Sequence, residues 1–388
     1  MSETSKNPDP AQQPQEGAEG GTGTGHQLRS VHTSSVPEIL DQLKSSLLVT
    51  TYQAGKVILL RNQDGVLNTH FRSFSKPMGL AVNGGRLAIG CSHDIWEFQN
   101  LPAAAQRIEP VGSHDAAFLP RNCHITGDVR IHEMAWVSRD PNESPELWFV
   151  NTAFSCLSVR SSEYSFEPVW KPKFISQLRS GDQCHLNGMA VRDGRVRYVT
   201  ALGTTDTDGG WRENKRDGGV LIDVESDEVI SRKLSMPHSP RWYRDQLWIL
   251  HSGTGGFGRI DLETGKYEEI TRLPGFTRGL TFAGNLALIG LSQVRESATF
   301  SGIPLCDELT ERTCGVWVVD IETGATVGFV RFEDAVQEIF AVELLGGMIR
   351  PDLVTEDTAL ISCSYVLSDD ALEQVSPEFR RVDSPGQK

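Results

Sequence analysis

Short apolar runs recur along most of the chain, and polar turns separate them. The runs are rich in Val, Ile, Leu and Trp, which is typical of β-strands, while Gly, Asp and Asn fill the turns. Helical spacing is clear only at residues 36–46. The pattern therefore predicts an all-β fold. The clearest runs are SLLVTTY, KVILLRN, GRLAIGC, ELWFVNT, VRYVTAL, GGVLIDV, QLWILHS, NLALIGL and GVWVVDI.

The runs belong to a repeating unit in which an apolar strand, a polar turn and a second strand follow one another. Six such units recur at spacings of about 40 to 60 residues, which is the length of a four-stranded propeller blade. We therefore expect a β-propeller with six blades, with seven as the alternative. The units begin near Met78, His132, Asn187, His238, Arg278 and Glu338.

Strand-like segments outside these units predict how the ring closes. YQAGKVILL precedes the first full unit and ALISCSYV follows the last, so strands from both ends of the chain are expected to share one blade. Residues 36–366 would then form a single propeller domain. The polar segment at residues 1–30 is expected to be a disordered tail, and residues 367–388 a loose C-terminal tail.

Three histidines occur at the same phase of the repeat. His132, His185 and His238 are 53 residues apart in each case, and each stands at the start of an innermost strand. In a propeller these strands line the central channel. The loops that enter them and the loops that join second to third strands meet at one channel mouth, where function is expected. The spacing thus predicts three imidazoles at a single mouth.

Three neutral imidazoles suggest a metal centre, because they suit Zn, Fe or Cu and leave coordination positions open. In this interpretation His132, His185 and His238 are the ligands. Glu133 or Glu338 is the candidate general base, and Arg278 the partner of an anion or oxyanion.

The sequence leaves two other interpretations of these histidines open: a polar ligand site without metal, or a structural role in the channel wall. The function predicted first is a metal-dependent enzyme of lyase, hydrolase or oxygenase type, acting on a small molecule or a peptide. The alternative is a non-catalytic module that binds a ligand or a protein. Further ligand-binding candidates are Asn151, Asn187, Trp211, Arg212 and His251.

Charge and composition narrow the range of partners. The net charge is −14, with 37 Lys and Arg against 51 Asp and Glu, so neither nucleic acid nor an anionic membrane surface is an expected partner. No apolar run approaches the roughly 20 residues that a membrane span needs. The seven cysteines show no CxxC spacing and predict reduced thiols in a cytoplasmic protein, with a Cys306–Cys314 disulfide or metal site as an alternative.

Several longer strings resemble a mainly bacterial family of uncharacterised, conserved hypothetical proteins that are predicted to be propeller-like. The resemblance spans about residues 36–350 and implies a propeller without an established activity. More loosely, the chain is similar to lactonase-type and NHL-type propellers and to peptidyl-amidoglycolate lyases, which hold zinc with three histidines. The strings are TGDVRIHEMAW, LWFVNTAFSCLS, CHLNGMAV, YVTALGTTDTDGGWRENK, LSMPHSPRW, LPGFTRGLTF, GLSQVRES, CGVWVVDIETG and QEIFAVELL.

Overall fold

The computed structural model describes residues 28–138, 144–294 and 301–377, and within them six β-sheets form a closed ring. The innermost strands of the sheets contact one another in cyclic order, so the architecture is a six-bladed β-propeller, as predicted. In chain order the strands are β1 (Ser30–His32), β2 (Ser45–Thr50), β3 (Lys56–Gln63), β4 (Val66–Ser73), β5 (Leu80–Asn83), β6 (Arg86–Gly90), β7 (Asp94–Asn100), β8 (Ala116–Ile125), β9 (Ile131–Val137), β10 (Glu146–Asn151), β11 (Cys156–Val159), β12 (Glu167–Trp170), β13 (Leu186–Arg192), β14 (Arg195–Ala201), β15 (Gly219–Asp223), β16 (Glu228–Leu234), β17 (Pro237–Tyr243), β18 (Gln246–His251), β19 (Gly256–Ile260), β20 (Tyr267–Arg272), β21 (Phe276–Ala283), β22 (Leu286–Ser292), β23 (Cys314–Asp320), β24 (Thr326–Phe332), β25 (Val342–Gly346) and β26 (Pro351–Leu353).

Helices are short and lie in the connections. The α-helices are α1 (Ser35–Gln42), α2 (Pro102–Ala105), α3 (Pro304–Glu308), α4 (Thr358–Ser362) and α5 (Asp369–Leu372). Three 3₁₀ turns occupy Tyr52–Ala54, Gly210–Asn214 and Ser252–Thr254. None of the helices in the described ranges is long and apolar enough to cross a membrane. All seven cysteines are unpaired, so the Cys306–Cys314 disulfide considered above does not form.

The blades follow the chain, and each is written here from its innermost strand outward. Blade 1 consists of β25, β2, β3 and β4, and blade 2 of β5 to β8. Blade 3 contains β9 to β12, blade 4 contains β13 to β16, blade 5 contains β17 to β20, and blade 6 contains β21 to β24. Two extra strands lie at outer edges: β1 pairs with β24 of blade 6, and β26 pairs in parallel with β8 of blade 2.

Blade 1 closes the ring. Its inner strand β25 comes from the C-terminal part of the chain and pairs antiparallel with β2, which confirms closure by strands from both ends. The segment that supplies this strand is VELLG at 342–346, not ALISCSYV as predicted from sequence. Residues 359–362 of ALISCSYV lie in α4, which begins with an Asp357 cap and packs its buried Leu360 against Ala104 and Ala105.

The tails were predicted at 1–30 and 367–388. Residues 1–27 and 378–388 lie outside the described residues. Of the remainder, Ser30 already begins β1, and α5 occupies part of the C-terminal segment. The helix predicted at residues 36–46 is present as α1, which buries Val36 and Leu40 in the core between blades 6 and 1, but it ends at Gln42, and Ser45 and Ser46 already belong to β2.

Apolar residues fill the spaces between neighbouring blades, where facing sheets bury their inner rows of side chains. Between blades 3 and 4, for example, Val150 and Leu157 pack with Val199 and Val220. Each blade therefore depends on its neighbours for burial of both of its faces, as expected for a repeat that cannot bury its apolar surface alone.

Hydroxyl groups at the ends of second strands join neighbouring blades near the channel. Each hydroxyl lies near the end of β2, β10, β18 or β22 and donates to a backbone carbonyl at or just before the inner strand of the next blade. These groups are buried, so the bonds satisfy carbonyls that water does not reach. The four bonds are Thr50 to Met78 (2.6 Å), Thr152 to Leu186 (2.6 Å), Ser252 to Thr277 (2.6 Å) and Ser292 to Ile339 (3.1 Å).

Two predicted ligand-binding residues serve the scaffold at the same strand ends. Asn151 is fully buried, and its Oδ1 accepts from the Phe154 N–H at 3.1 Å, which closes the β10–β11 turn. His251 accepts the Ser235 N–H through Nε2 at 2.6 Å and contacts the Thr254 hydroxyl through Nδ1 at 3.0 Å. Both side chains turn into their own blade because a turn or a neighbouring amide requires them there.

We expect the inter-blade hydroxyl bond of Thr50 to contribute measurably to stability. The Thr50 hydroxyl donates to the Met78 carbonyl at 2.6 Å and accepts from the Ala341 N–H at 3.0 Å. Thr50→Val keeps the shape but leaves both buried backbone groups unsatisfied, so urea unfolding should show a loss of about 1–3 kcal/mol. Thr69→Val on β4, which is partly exposed, should change stability by less than about 0.5 kcal/mol. Equal losses in the two variants would contradict this interpretation.

Acid should destabilise the fold partly through His251. Burial lowers the pKa of His251 to about 4, against 6.5 for an ordinary histidine, so between these values the unfolded chain binds more protons than the native one. Stability from this group is complete above pH 6.5 and falls as the pH drops towards 4. At pH 5 the loss should be about 1–2 kcal/mol relative to pH 7.

His251→Gln isolates this contribution, since the amide oxygen replaces Nε2 as acceptor without titrating. As the pH falls from 7 to 5, the unfolding free energy of the wild type should therefore decrease by more than that of H251Q. The exposed His32→Gln is the matched control and should follow the wild type. A pH-independent difference between wild type and H251Q would refute the assignment.

Candidate functional site

A cavity of about 650 Å³ opens at one mouth of the channel. It is lined by the loops that enter the innermost strands together with the β2–β3, β6–β7, β14–β15 and β22–β23 loops, which join second to third strands. These are the two loop sets that the sequence predicts to meet there. The lining residues are Tyr52, Gln53, Lys76, Met78, Ser92, Asp128, Arg130, His132, Asp182, His185, Trp211, Arg212, Met236, His238, Phe276, Arg278, Gln293, Gln337, Glu338 and Phe340.

Most of the predicted site residues meet in this cavity. Glu133 and Asn187 instead line a small internal cavity directly below, which His132, His238 and Arg278 also border. Asn151 and His251 line neither of these two cavities. The seven predicted residues at the mouth are His132, His185, Trp211, Arg212, His238, Arg278 and Glu338.

His132 and His238 are held by the same construction in blades 3 and 5. The His132 Nδ1 lies 2.9 Å from the Arg130 carbonyl and 2.8 Å from the Thr152 hydroxyl, which itself donates to the next blade. A carbonyl only accepts, so Nδ1 carries the proton and Nε2 a bare lone pair.

In blade 5, the His238 Nδ1 lies 2.9 Å from the Met236 carbonyl and 3.1 Å from the Ser252 hydroxyl. Since Ser252 donates its proton to the Thr277 carbonyl, its oxygen is the acceptor for His238. The hydroxyl bonds that join blades thus also set the tautomer of two imidazoles at the mouth.

In His185 a carboxylate, in place of a backbone carbonyl, fixes the same tautomer. Its Nδ1 lies 2.9 Å from Oδ1 of Asp182, whose side chain is only 4% exposed. The other oxygen of Asp182 accepts from Arg130 at 3.0 Å and lies 3.5 Å from Arg212. A carboxylate that fixes the ring of a histidine is a common outer partner of metal-ligating imidazoles. Asp182 lies three residues before His185, and that spacing was the available sequence signal for it.

The ring of His185 packs edge to face against one neighbouring ring of the mouth and at a tilt against another. The ring of His185 lies 4.9 Å from that of His132 at 88°, and 4.4 Å from the Trp211 ring. Trp211 is buried, although the sequence places it in an overhanging loop. It belongs to a small apolar cluster with Met236, Phe276 and residues at and beside α3, so the wall of the mouth has its own core.

Burial and a neighbouring cation keep two of the histidines neutral. Burial, and next the Arg278 guanidinium, hold the pKa of His132 and that of His238 well below the ordinary value of 6.5. At neutral pH both rings therefore present Nε2 as a hydrogen-bond acceptor or a metal ligand. Among the described residues, none donates a hydrogen bond to Nε2 of His132, His185 or His238.

Arg278 extends from the inner strand of blade 6 into the cavity. Its guanidinium carbon lies 3.4 Å from the centre of the Phe340 ring, and its Nη2 is buried without an acceptor. No hydrogen bond or ion pair joins it to any residue of the described ranges. Burial lowers the pKa of Arg278 to about 10, and Glu338 acts against that shift, so the side chain remains charged at neutral pH.

Below the mouth, Arg241 lies between two carboxylates. Its Nη2 is 2.8 Å from Glu133 and 3.5 Å from Glu343, and Glu133 also accepts the Met189 N–H at 3.2 Å. Burial raises the pKa of Glu343 to about 7, while the Arg241 charge acts against this shift and the Glu133 charge adds to it. Glu133, a predicted general base, is thus engaged by an arginine and an amide below the histidines. Neither Arg241 nor Glu343 carries a local sequence signal, because the contact spans three blades.

The backbone around the cavity is unusually strained. Fifteen non-glycine residues of the described ranges have positive φ, and six of them line the cavity. The other nine lie elsewhere, several in polar turns. Residues in this conformation cost on the order of 1–3 kcal/mol each and concentrate where function requires them. The six are Tyr52, Lys76, Arg130, Asp182, His185 and Met236.

The charge of the cavity differs from that of the whole chain. Four basic side chains line it (Lys76, Arg130, Arg212 and Arg278) against three acidic ones (Asp128, Asp182 and Glu338), whereas the chain has net charge −14. Such a local excess of cations attracts anionic ligands more strongly than the rest of the surface does.

Comparison with known proteins places the chain in a family without assigning an activity. A nidogen/laminin complex contains a chain that is similar in structure, with a TM-score of 0.50 and 9% identity over 78% of this chain and 99% of that one. A protein of unknown function from Bacteroides caccae gives a TM-score of 0.48 and 11% identity over 78% and 98%. At 9% identity the first of these likenesses shows a shared fold and nothing more. No curated protein sequence matches. Residues 34–354 match the family described as "Domain of unknown function (DUF4915)", and the chain belongs to that family.

Proposed function

We propose that the channel mouth binds a divalent transition metal, Zn, Fe or Cu, through His132, His185 and His238, and that the protein is a metal-dependent enzyme acting on a small molecule or a peptide. The observation that carries this proposal is the shared tautomer of the three rings. Each engages Nδ1 with a protein oxygen and leaves Nε2 unbonded among the described residues. Bare imidazole nitrogens are the ligands that these metals favour.

Two features suit the three rings to this role. Their outer partners are a carboxylate for His185 and backbone carbonyls for His132 and His238, which are the usual partners of metal-ligating histidines. The lowered pKa of His132 and His238 also means that protons do not compete for these nitrogens near neutral pH.

Metal binding requires a local adjustment of the side chains. No group of three His, Cys, Asp or Glu in the described ranges stands ready to hold a metal ion. His185 is the ring with the most freedom, since its side chain is 16% exposed and its neighbours are the Asp182 carboxylate and the Trp211 ring. We propose that this imidazole turns towards the other two when the ion binds.

The residues around this centre fit a lyase, hydrolase or oxygenase type of reaction. A metal with open positions supplies Lewis acidity when bound. Glu338, which lines the cavity, and Glu133, which lines the small cavity below it, are the candidates for general base. Arg212, at the rim, would orient an extended ligand. Trp211 and Phe340 provide apolar wall on opposite sides of the rings, so a substrate with both polar and apolar parts fits.

The second candidate function is a binding module that does not turn its ligand over. The lack of a ready-made three-residue metal group in the described ranges favours it, as does the apolar cluster that stabilises the wall of the mouth. In this version the three Nε2 atoms accept hydrogen bonds from a donor-rich ligand. Both versions use the same cavity and differ in whether a metal is required. We also propose a cytoplasmic location, which the unpaired thiols of all seven cysteines support.

Metal binding can be tested on protein prepared without an affinity tag. We expect one equivalent of Zn²⁺ or Co²⁺ in calorimetry, with a Co²⁺ absorption spectrum of imidazole ligation. His185→Ala should weaken binding at least tenfold while leaving the fold intact, because this ring is the least buried of the three. His32→Ala, at an exposed position far from the mouth, should bind like the wild type.

Unchanged affinity in H185A, or no saturable metal in the wild type, would exclude the metal-dependent enzyme and leave the binding module. Thermal unfolding of each variant in the absence of metal controls for misfolding. If H185A unfolded at a much lower temperature, His185→Gln would repeat the test with a side chain that retains a polar atom near the same place.

A further inference from the structure

We infer that Arg278 is the anchor for an oxyanion, a carboxylate or a phosphate, of the ligand that occupies the mouth. This inference rests on the proposal that the cavity is a binding site, but it does not depend on the metal. The observation behind it is an arginine that enters a cavity of about 650 Å³ and has no anionic or hydrogen-bonding partner in the described ranges.

The surroundings of Arg278 define the direction in which it can bind. One face of the guanidinium is covered by the Phe340 ring at 3.4 Å, which holds the group flat. Its edge is therefore the part left for a partner. The planar fork of an arginine matches two oxygens of a carboxylate or a phosphate, and stacking fixes it without using its N–H groups.

The nearby carboxylates are held by other groups. Glu133 pairs with Arg241 at 2.8 Å, and Asp182 is shared by His185 and Arg130. Glu338 affects Arg278 through its charge, and no ion pair between the two is formed. A scaffold arginine in a buried setting normally has its N–H groups satisfied by the protein, as in the Arg61 contacts with Asn68 and Pro351. Arg278 lacks this network.

Cavity size and charge are consistent with a small anionic ligand. Four basic and three acidic side chains line the mouth, and the histidines His132 and His238 flank Arg278 as neutral rings. Because both rings are neutral, neither carries a net charge that would compete with Arg278 for an oxyanion. The rest of the ligand would extend towards Arg212 and the solvent.

Weakly binding probes can test this inference on metal-free protein. Trifluoroacetate observed by ¹⁹F NMR represents a carboxylate, and phenylphosphonate observed by ³¹P NMR represents a phosphate, both at constant ionic strength. We expect the wild type to broaden the signal of at least one probe in a saturable way. Neutral trifluoroacetamide should not displace that probe. The probe with the lower dissociation constant identifies which oxyanion the site prefers.

Substitutions at Arg278 give the decisive comparison. Arg278→Gln should lower the affinity for the probe at least tenfold. Arg278→Lys should lower it by an intermediate factor, because a lysine keeps the charge but lacks the planar fork of the guanidinium. Arg259→Gln is the matched control, since Arg259 is a partly exposed arginine of blade 5 that pairs with Glu268 at 2.8 Å. Wild-type affinity in R278Q, or no saturable binding of either probe to the wild type, would overturn the inference.

The stability of R278Q shows whether Arg278 serves to bind a ligand or to support the fold. R278Q removes a charge that has no partner among the described residues, so its urea midpoint should equal or exceed that of the wild type. A clear fall of the midpoint would mean that Arg278 supports the fold, and would overturn the inference. Repeating the probe titrations with H185A distinguishes the two proposals: anion binding that persists in H185A stands even if no metal binds.

Discussion

The antiparallel pairing of β25 with β2 is the constraint on which the rest of the structure depends. It places a strand from residues 342–346 inside a sheet that begins at residue 45, and so converts six sheets into a ring. The extra strands lie on either side of this joint: β1 extends blade 6 and β26 extends blade 2. Helix α1 covers the same junction with Val36 and Leu40. Closure thereby supplies the inner strand of blade 1 and brings it into contact with the inner strands of blades 6 and 2.

The site is a consequence of this closure combined with one repeated local construction. In blades 3 and 5 a strained residue two positions before the histidine turns its carbonyl to Nδ1, and a hydroxyl from the second strand completes the pair of acceptors. The hydroxyl in turn donates to the next blade, so ring geometry and imidazole tautomer are set by the same bonds. Strain at Arg130 and Met236 is tolerated because packed blades on both sides hold these segments.

The sequence predicts the repeating features of the fold, but it does not predict contacts between individual residues of different blades. The strand runs, the turns and the 53-residue spacing of His132, His185 and His238 are local or repeating signals, and they led to the ring, the mouth and seven of the residues found there. The Arg241 contacts with Glu133 and Glu343 join blades that are far apart in the chain, so no local pattern reveals them. ALISCSYV has a strand-like composition, yet Asp357 caps a helix through it, and pairing of VELLG with β2 supplies the closing strand instead.

Asn151 and His251 show a second limit, which concerns the direction of a side chain. Each ends the second strand of its blade on the face of the mouth, as the repeat predicts, but a turn amide recruits Asn151 and the Ser235 amide recruits His251. At such strand ends a one-residue change of register exchanges the two faces of the sheet. The neighbouring positions Thr152 and Ser252 are the ones that reach the channel, where they hold His132 and His238. The spacing of the repeat locates the end of the strand. Which of two adjacent side chains enters the site is decided by their hydrogen-bond partners.

The electrostatics of the mouth link its two proposed occupants. Arg278 helps to keep His132 and His238 unprotonated, which leaves their Nε2 lone pairs available, but its charge would also oppose a divalent cation bound at those nitrogens. An oxyanion bound to Arg278 would remove that opposition. A metal ion at the three imidazoles would in turn strengthen the attraction for the anion. By linkage, each occupant should raise the affinity of the other by the same factor. A cavity in which an arginine without a partner among the described residues lies beside neutral histidines would thus suit the two proposed occupants together better than either one alone.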